Sequence, residues 1–170
     1  MTYGRLMSDQ DNAAIIEQLY AALDRGDGEA MAALYAPDAH FEDPAFGSLT
    51  GEEAGDMWRM LTRPPADVSV ELREHQAWDE TNGSARWVAT YTFSRTGRPV
   101  VNDVRARFHF KDGLIVEHVD NFSFSTWSRQ ALGAPGLLLG WTPILPAMFR
   151  KKTRAMLDEF RAERAAAGAA

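Results

Sequence analysis

The stretch Phe108-His109-Phe110-Lys111-Asp112-Gly113-Leu114-Ile115-Val116-Glu117-His118-Val119-Asp120-Asn121-Phe122 holds two alternating runs joined by a turn dipeptide. Alternation of apolar and polar residues is the period of a half-buried strand, and Asp-Gly between two such runs favours a tight reversal. Upstream, Val104, Ala106, Phe108 and Phe110 alternate with Arg105, Arg107 and His109, so the basic residues are expected on the outer face of the sheet or in a subunit contact. Thr96-Gly97 marks another turn, and before it Trp87, Ala89, Tyr91 and Phe93 form one face of a strand. Asn82-Gly83 reads as a hairpin turn, preceded by Val68, Val70 and Leu72 alternating with Ser69, Glu71 and Arg73. The last strand is expected from Leu114 to Phe124. The second half of the chain is therefore a long antiparallel meander.

The first half has helical periodicity. After Ser8, the residues Ile16, Leu19, Tyr20 and Leu23 fall on one helical face, and Gly26 stops the run. Asp27 can cap a second short helix carrying Met31, Leu34 and Tyr35, which Pro37 ends. His40-Phe41-Glu42-Asp43 reads as a short strand, and Pro44 and Gly47 as a turn. Thr50-Gly51-Glu52-Glu53 is a capping-box sequence opening a third helix with Ala54, Met57, Trp58 and Leu61 inward, closed by Pro64-Pro65. The expected fold class is α+β: a cone-shaped, curved antiparallel sheet with three N-terminal helices enclosing a pocket, and a C-terminal helical extension. Residues 8–125 form the cone domain. Residues 126–170 form an apolar lid or interface segment and a final helix with Phe149, Met156, Leu157 and Phe160 at helical spacing, its Ala-rich end fraying.

The 170 residues are 45% hydrophobic and 25% charged, an ordinary globular composition. Net charge is −6 without a long basic run, which argues against nucleic acid. Arg150, Lys151, Lys152 and Arg154 have the spacing of a helix's wet face. The chain has no cysteine, which excludes disulfides and thiolate chemistry and fits a cytoplasmic setting. Met1–Asn12 lacks the apolar stretch of a signal peptide. Ala131–Phe149 carries no charge, but Gly133, Pro135, Gly136, Gly140, Pro143 and Pro146 interrupt it, so no membrane span is expected. A homodimer is expected, since the apolar segment needs a cover. No nucleotide or flavin motif is present, and His118 with Asp120 supplies only two ligands, so neither cofactor nor metal is expected.

Several pieces carry a family resemblance: residues 19–27 (LYAALDRGD), 34–39 (LYAPDA), 41–44 (FEDP), 108–118 (FHFKDGLIVEH) and 120–122 (DNF). With them the chain resembles the nuclear-transport-factor-2-like superfamily, which includes ketosteroid isomerases, SnoaL-like polyketide cyclases and limonene epoxide hydrolases. The resemblance implies that Asp43, before Pro44, stands where the isomerases place a general base, and that Asp120 stands near the catalytic aspartate of the cyclases and epoxide hydrolases. Departures accompany it. Ala106 falls where an isomerase would carry a protonated aspartate, Leu19 rather than Tyr20 falls on its tyrosine, and Arg86-Trp87-Val88 lacks the aspartate of the epoxide hydrolase pair.

Strand alternation supports the same residues independently. Val116, His118, Asp120, Phe122 and Phe124 share one face of the last strand, and Phe41 shares one with Asp43. A carboxylate in an aromatic interior must be paired or shift its pKa upward. The candidate catalytic residues are Asp43, Asp120 and His118. Tyr20, Trp58, Trp87, Tyr91, Asn102 and Phe122 are candidate substrate contacts. Asp43 can instead be a turn residue bonding its own backbone, Asp120 a core acid paired with an arginine, and His118 purely structural. The expected ligand is a hydrophobic, oxygenated small molecule. The expected activity is cofactor-independent proton transfer in isomerisation or aldol-type cyclisation, with epoxide hydration and non-catalytic binding as alternatives.

Overall fold

The computed structural model describes residues 9–169. Ser8 and most of Met1–Asn12 lie outside them. The elements run α1 (Asp9–Asp24), α2 (Gly28–Ala32), β1 (Tyr35–Asp43), β2 (Gly47–Thr50), α3 (Gly51–Leu61), β3 (Ser69–Ala77), β4 (Asn82–Phe93), β5 (Arg98–Lys111), β6 (Leu114–Asn121), α4 (Phe124–Leu132), α5 (Ala134–Leu139) and α6 (Ile144–Gly168). The fold is α+β, with one curved six-stranded sheet in the order β2-β1-β6-β5-β4-β3.

Local chemistry accounts for many boundaries. The Asp27 carboxylate accepts the Ala30 amide at 2.9 Å and starts α2. Thr50 and Glu53 form the expected reciprocal capping box at α3. Asp112 and Gly113 take φ of 52° and 79°, the left-handed pair that a two-residue β5–β6 turn requires. Ile16, Leu19, Tyr20, Phe41, Met57, Trp58, Trp87, Phe108 and Phe110 are buried between α1, α3 and the sheet, and burying each of the large apolar side chains contributes roughly 1.5–3 kcal/mol.

Four expectations need correction. The sheet is mixed, because β1 runs parallel to β6 while every other pair is antiparallel. Alternation tells which face of β1 is apolar but not the direction of its neighbour. Helix α2 ends at Ala32, so Tyr35 opens β1 instead of lying on a helix. Gly47, read as a turn residue, opens the strand β2, whose four residues are too few to show a period. β6 ends at Asn121, and Phe124 begins α4 with Ser123 as its cap. Helix α6 runs to Gly168.

Asn82-Gly83 is also displaced from its expected role. Both residues lie in β4, opposite His109 and Phe108. The reversal sits just before them, where the Asp79 carboxylate accepts the amides of Thr81 at 2.7 Å and Asn82 at 2.8 Å. Gly83 is small for a packing reason: a Cβ there would stand 2.9 Å from the Gln76 carbonyl, 3.1 Å from Ile16 and 3.2 Å from Phe110. Gly83→Ala is expected to destabilise the fold by about 1–3 kcal/mol, which urea denaturation would measure. An unchanged midpoint would refute this account of the α1–β4 contact.

The C-terminal helices are anchored to the cone. Trp127 donates to the Tyr91 hydroxyl at 2.8 Å and packs with Phe93, Phe124 and Phe149 in a second apolar cluster. Along α6, Thr153 donates to the Ala45 carbonyl at 2.7 Å, and Arg161 and Arg164 pair with Asp56 of α3 at 3.1 and 3.3 Å. No described helix is long and apolar enough to cross a membrane.

Candidate active site

The middle of β6 delivers an imidazole and a carboxylate to the interior. A bulge between its pairings with Phe110 and His109 changes the alternation, so Ile115 is buried, Val116 is only half-buried, and His118 and Asp120 face inward. His118 is fully buried and Asp120 is 5% exposed. Phe108 lies against the imidazole at 4.3 Å between centroids, and Phe41 meets it edge-on at 5.1 Å.

A continuous hydrogen-bonded chain crosses this core. Trp58 Nε1 and the Tyr35 hydroxyl are 3.0 Å apart, the Tyr35 hydroxyl and His118 Nδ1 2.6 Å, and His118 Nε2 and Asp120 Oδ1 3.0 Å. Donor chemistry orients it. An indole N–H can only donate, so Tyr35 accepts from Trp58 and is free to donate to His118 Nδ1. The imidazole then carries its proton on Nε2 and donates to Asp120. Every link of the chain then has one donor and one acceptor. The alternative of an arginine partner for Asp120 is not what the structure contains; its partner is His118.

Asp43 sits at the end of β1. Its Oδ1 accepts the amides of Ala45 at 2.9 Å and Phe46 at 2.5 Å, so it is a turn residue. It is also a perturbed acid. Burial pushes its carboxyl up to about 7, the nearby negative charge of Asp120 pushes in the same direction, and the Phe46, Ala45 and Gly47 amides oppose them incompletely. Asp43 keeps partial solvent contact, which suits a group that exchanges protons.

Among the described residues, the Tyr20 hydroxyl and Trp87 Nε1 are buried donors with neither a hydrogen-bond partner nor an ion pair, whereas Arg59 Nε stands 2.9 Å from the Glu29 carboxylate. Tyr20 is 2% and Trp87 6% exposed, and their rings lie 5.0 Å apart. Burial raises the Tyr20 hydroxyl well above the usual tyrosine range, and the charges of Asp120 and Tyr35 add to this, so its proton remains available for donation. An unpaired buried donor costs about 1–3 kcal/mol. Two such donors side by side are the kind of arrangement that a ligand oxygen would complete.

The structure thus gathers His118, Asp120, Tyr20, Trp58 and Trp87 in one buried region, with Asp43 close enough to sense Asp120. The other candidates are more peripheral. Tyr91 is engaged by Trp127, Asn102 is half-buried on the inward row opposite Ala89, and Phe122 is half-buried between the two apolar clusters. Tyr35 was missed because it was assigned to a helix. Counting back by twos from Asp43 through Phe41 and Ala39 reaches it, but Pro37 interrupts that pattern. Arg86 points outward and pairs with Asp103 at 2.7 and 3.1 Å. A cleft of about 1380 Å³ lies on the outer face of the sheet among Glu74, Arg86, Asp103, Arg105 and Arg107, and a smaller one separates α3 from α6. Neither is lined by Asp43, His118 or Asp120. The large cleft is lined by surface charges, among which Arg86 pairs with Asp103 and Glu74. No group of three or more His, Asp or Glu among the described residues could hold a metal ion.

Comparison with known proteins places this chain in a family. The SnoaL-like domain matches residues 16–118, so the chain belongs to the SnoaL-like family. Among solved structures it is similar to an LEH-like epoxide hydrolase of M. tuberculosis, with TM-score 0.62, 18% identity, and coverage of 76% of this chain and 94% of that one. It is similar to a candidate polyketide cyclase of Xanthomonas campestris pv. campestris, with TM-score 0.61, 22% identity, and coverage of 72% and 97%. A protein of Catenulispora acidiphila DSM 44928 with a ketosteroid isomerase-like fold, in complex with trimethylamine, gives TM-score 0.61, 23% identity, and coverage of 76% and 97%. At these identities the likeness is one of fold. No curated protein matches the sequence significantly.

Proposed function

We propose that this protein is a cofactor-independent enzyme that moves a proton on a hydrophobic, oxygenated small molecule, in isomerisation or aldol-type cyclisation. The observation that carries this reading is the pair of unpartnered buried donors, Tyr20 and Trp87, in a core whose Asp120 charge acts on both Tyr20 and Asp43, an acid pushed up to about 7. Ionised Asp43 takes a proton from a carbon next to a substrate carbonyl. The electron pair left behind moves onto the carbonyl oxygen, where Tyr20 and Trp87 donate hydrogen bonds to the enolate. In an isomerisation the proton returns from Asp43 to another carbon of the conjugated system. In a cyclisation the enolate carbon attacks a second carbonyl of the same molecule, and the new alkoxide takes up the proton that Asp43 holds. The chain from Trp58 to Asp120 fixes the position of the Asp120 carboxyl, whose charge adds to burial in raising both the Tyr20 hydroxyl and the Asp43 carboxyl.

Tyr20→Phe separates this reading from a structural one. The Tyr20 hydroxyl has no hydrogen bond to lose, so the variant is expected to keep or slightly raise its melting temperature. Exchange of the α-protons of hydrophobic cyclic ketones in D2O, followed by NMR, is expected to slow by about 10²–10³. Unchanged exchange would remove Tyr20 from the mechanism. The outward Arg86 weighs against epoxide hydration, because its guanidinium is held by Asp103 on the solvent side.

A further inference from the structure

All 24 Asp and Glu residues lie outside residues 121–157, a stretch that carries five basic residues on a chain of net charge −6. The same stretch projects apolar side chains into solvent. Leu137 and Leu138 in α5, Trp141 in the connection, and Ile144 and Met148 at the start of α6 are 59–77% exposed. On α6, Ile144 and Met148 are followed along the exposed face by Lys151 and Lys152. With a rise of about 1.5 Å per residue, the lysines stand roughly 10–12 Å along the axis from Ile144. Neither lysine pairs with a described residue, whereas the neighbouring Arg154 is fixed on the Ser48 carbonyl and Glu53.

The geometry points to a peripheral docking surface for anionic lipid bilayers, formed by the end of α5, the connection at Trp141 and the first turns of α6. The leucines, Ile144 and Met148 enter the headgroup–acyl boundary, Trp141 lies at the interface, and Lys151 and Lys152 meet lipid phosphates. Charge favours a membrane over a second copy as the occupant. A two-fold contact through this tip would bring basic residues towards their own equivalents, with no acid in the segment to pair them.

Flotation of the full chain with vesicles tests this. Binding is expected to phosphatidylcholine vesicles containing phosphatidylglycerol, and to be far weaker to phosphatidylcholine alone. Lys151→Ala with Lys152→Ala should weaken partitioning by roughly thirtyfold, and Trp141→Ala by about tenfold. These side chains are exposed, so both variants should melt like the parent. Absence of flotation with the anionic vesicles, or flotation unaffected by both variants, overturns the assignment. A dimer in solution that Trp141→Ala converts to monomer also overturns it, in favour of a second copy.

Discussion

Replacing Asp43 by Asn is expected to slow ketone α-proton exchange by about 10²–10⁴ while making the protein more stable at alkaline pH. The turn should survive, because an asparagine side-chain oxygen can accept the Ala45 and Phe46 amides as Asp43 does. The stability gain follows from linkage. The Asp43 carboxyl titrates near 3.8 when unperturbed and at about 7 in the fold. Between those values the native state holds a proton that the unfolded chain has released. Native stability therefore falls as pH rises from about 3.8 to about 7 and then levels off. Asn carries no such charge, so the variant should overtake the parent across that window by a few kcal/mol at most. Activity has the opposite dependence. A general base must be ionised, so parent turnover should be lost as pH falls through 7. Thermal melts from pH 4 to 8 on both proteins would check the first, and exchange rates over the same range the second. A variant that exchanges ketone protons at the parent rate would end the assignment of Asp43 as base.

The largest stability effect is expected from His118→Ala. The substitution leaves a space among Phe41, Phe108 and Tyr35, removes the acceptor of the Tyr35 hydroxyl, and strips Asp120 of its hydrogen-bond donor. Leaving a buried polar group without its partner costs about 1–3 kcal/mol, more for a charged one, in addition to the cavity the ring leaves. Urea denaturation of His118→Ala and of His118→Phe, which keeps a ring, tests this. A loss below about 1 kcal/mol in the Phe variant would mean that His118 is only a packed ring.

How much of this could be read beforehand depended on whether a feature is local. The capping box at Thr50, the cap at Asp27 and the turn at Asp112-Gly113 are each fixed within a few residues, and the sequence states them directly. The alternation of Val104, Ala106, Phe108 and Phe110 likewise marked the inner face of β5. Features that depend on distant partners were not legible. The parallel pairing of β1 with β6 comes from which strand edge remained free, and the bulge in β6 shifts its pattern without a Gly or Pro to announce it. Asn82-Gly83 had the right composition for a turn, but its glycine answers to Ile16 and Phe110. The site followed the same rule. His118 and Asp120 were visible as an inward pair, while the Tyr35–Trp58 end of the chain required knowing that β1 starts at Tyr35.

The proposed chemistry rests on the aspartate at the end of β1 being an acid that changes state near neutrality. Carbon-13 NMR titration of the aspartate side-chain carboxyls, with the Asp43 signal identified by its absence in the Asn variant, measures this without any substrate. A midpoint at about 7 is the result expected here. A midpoint at the ordinary 3.8 would contradict the account, leaving that residue as a turn and nothing more.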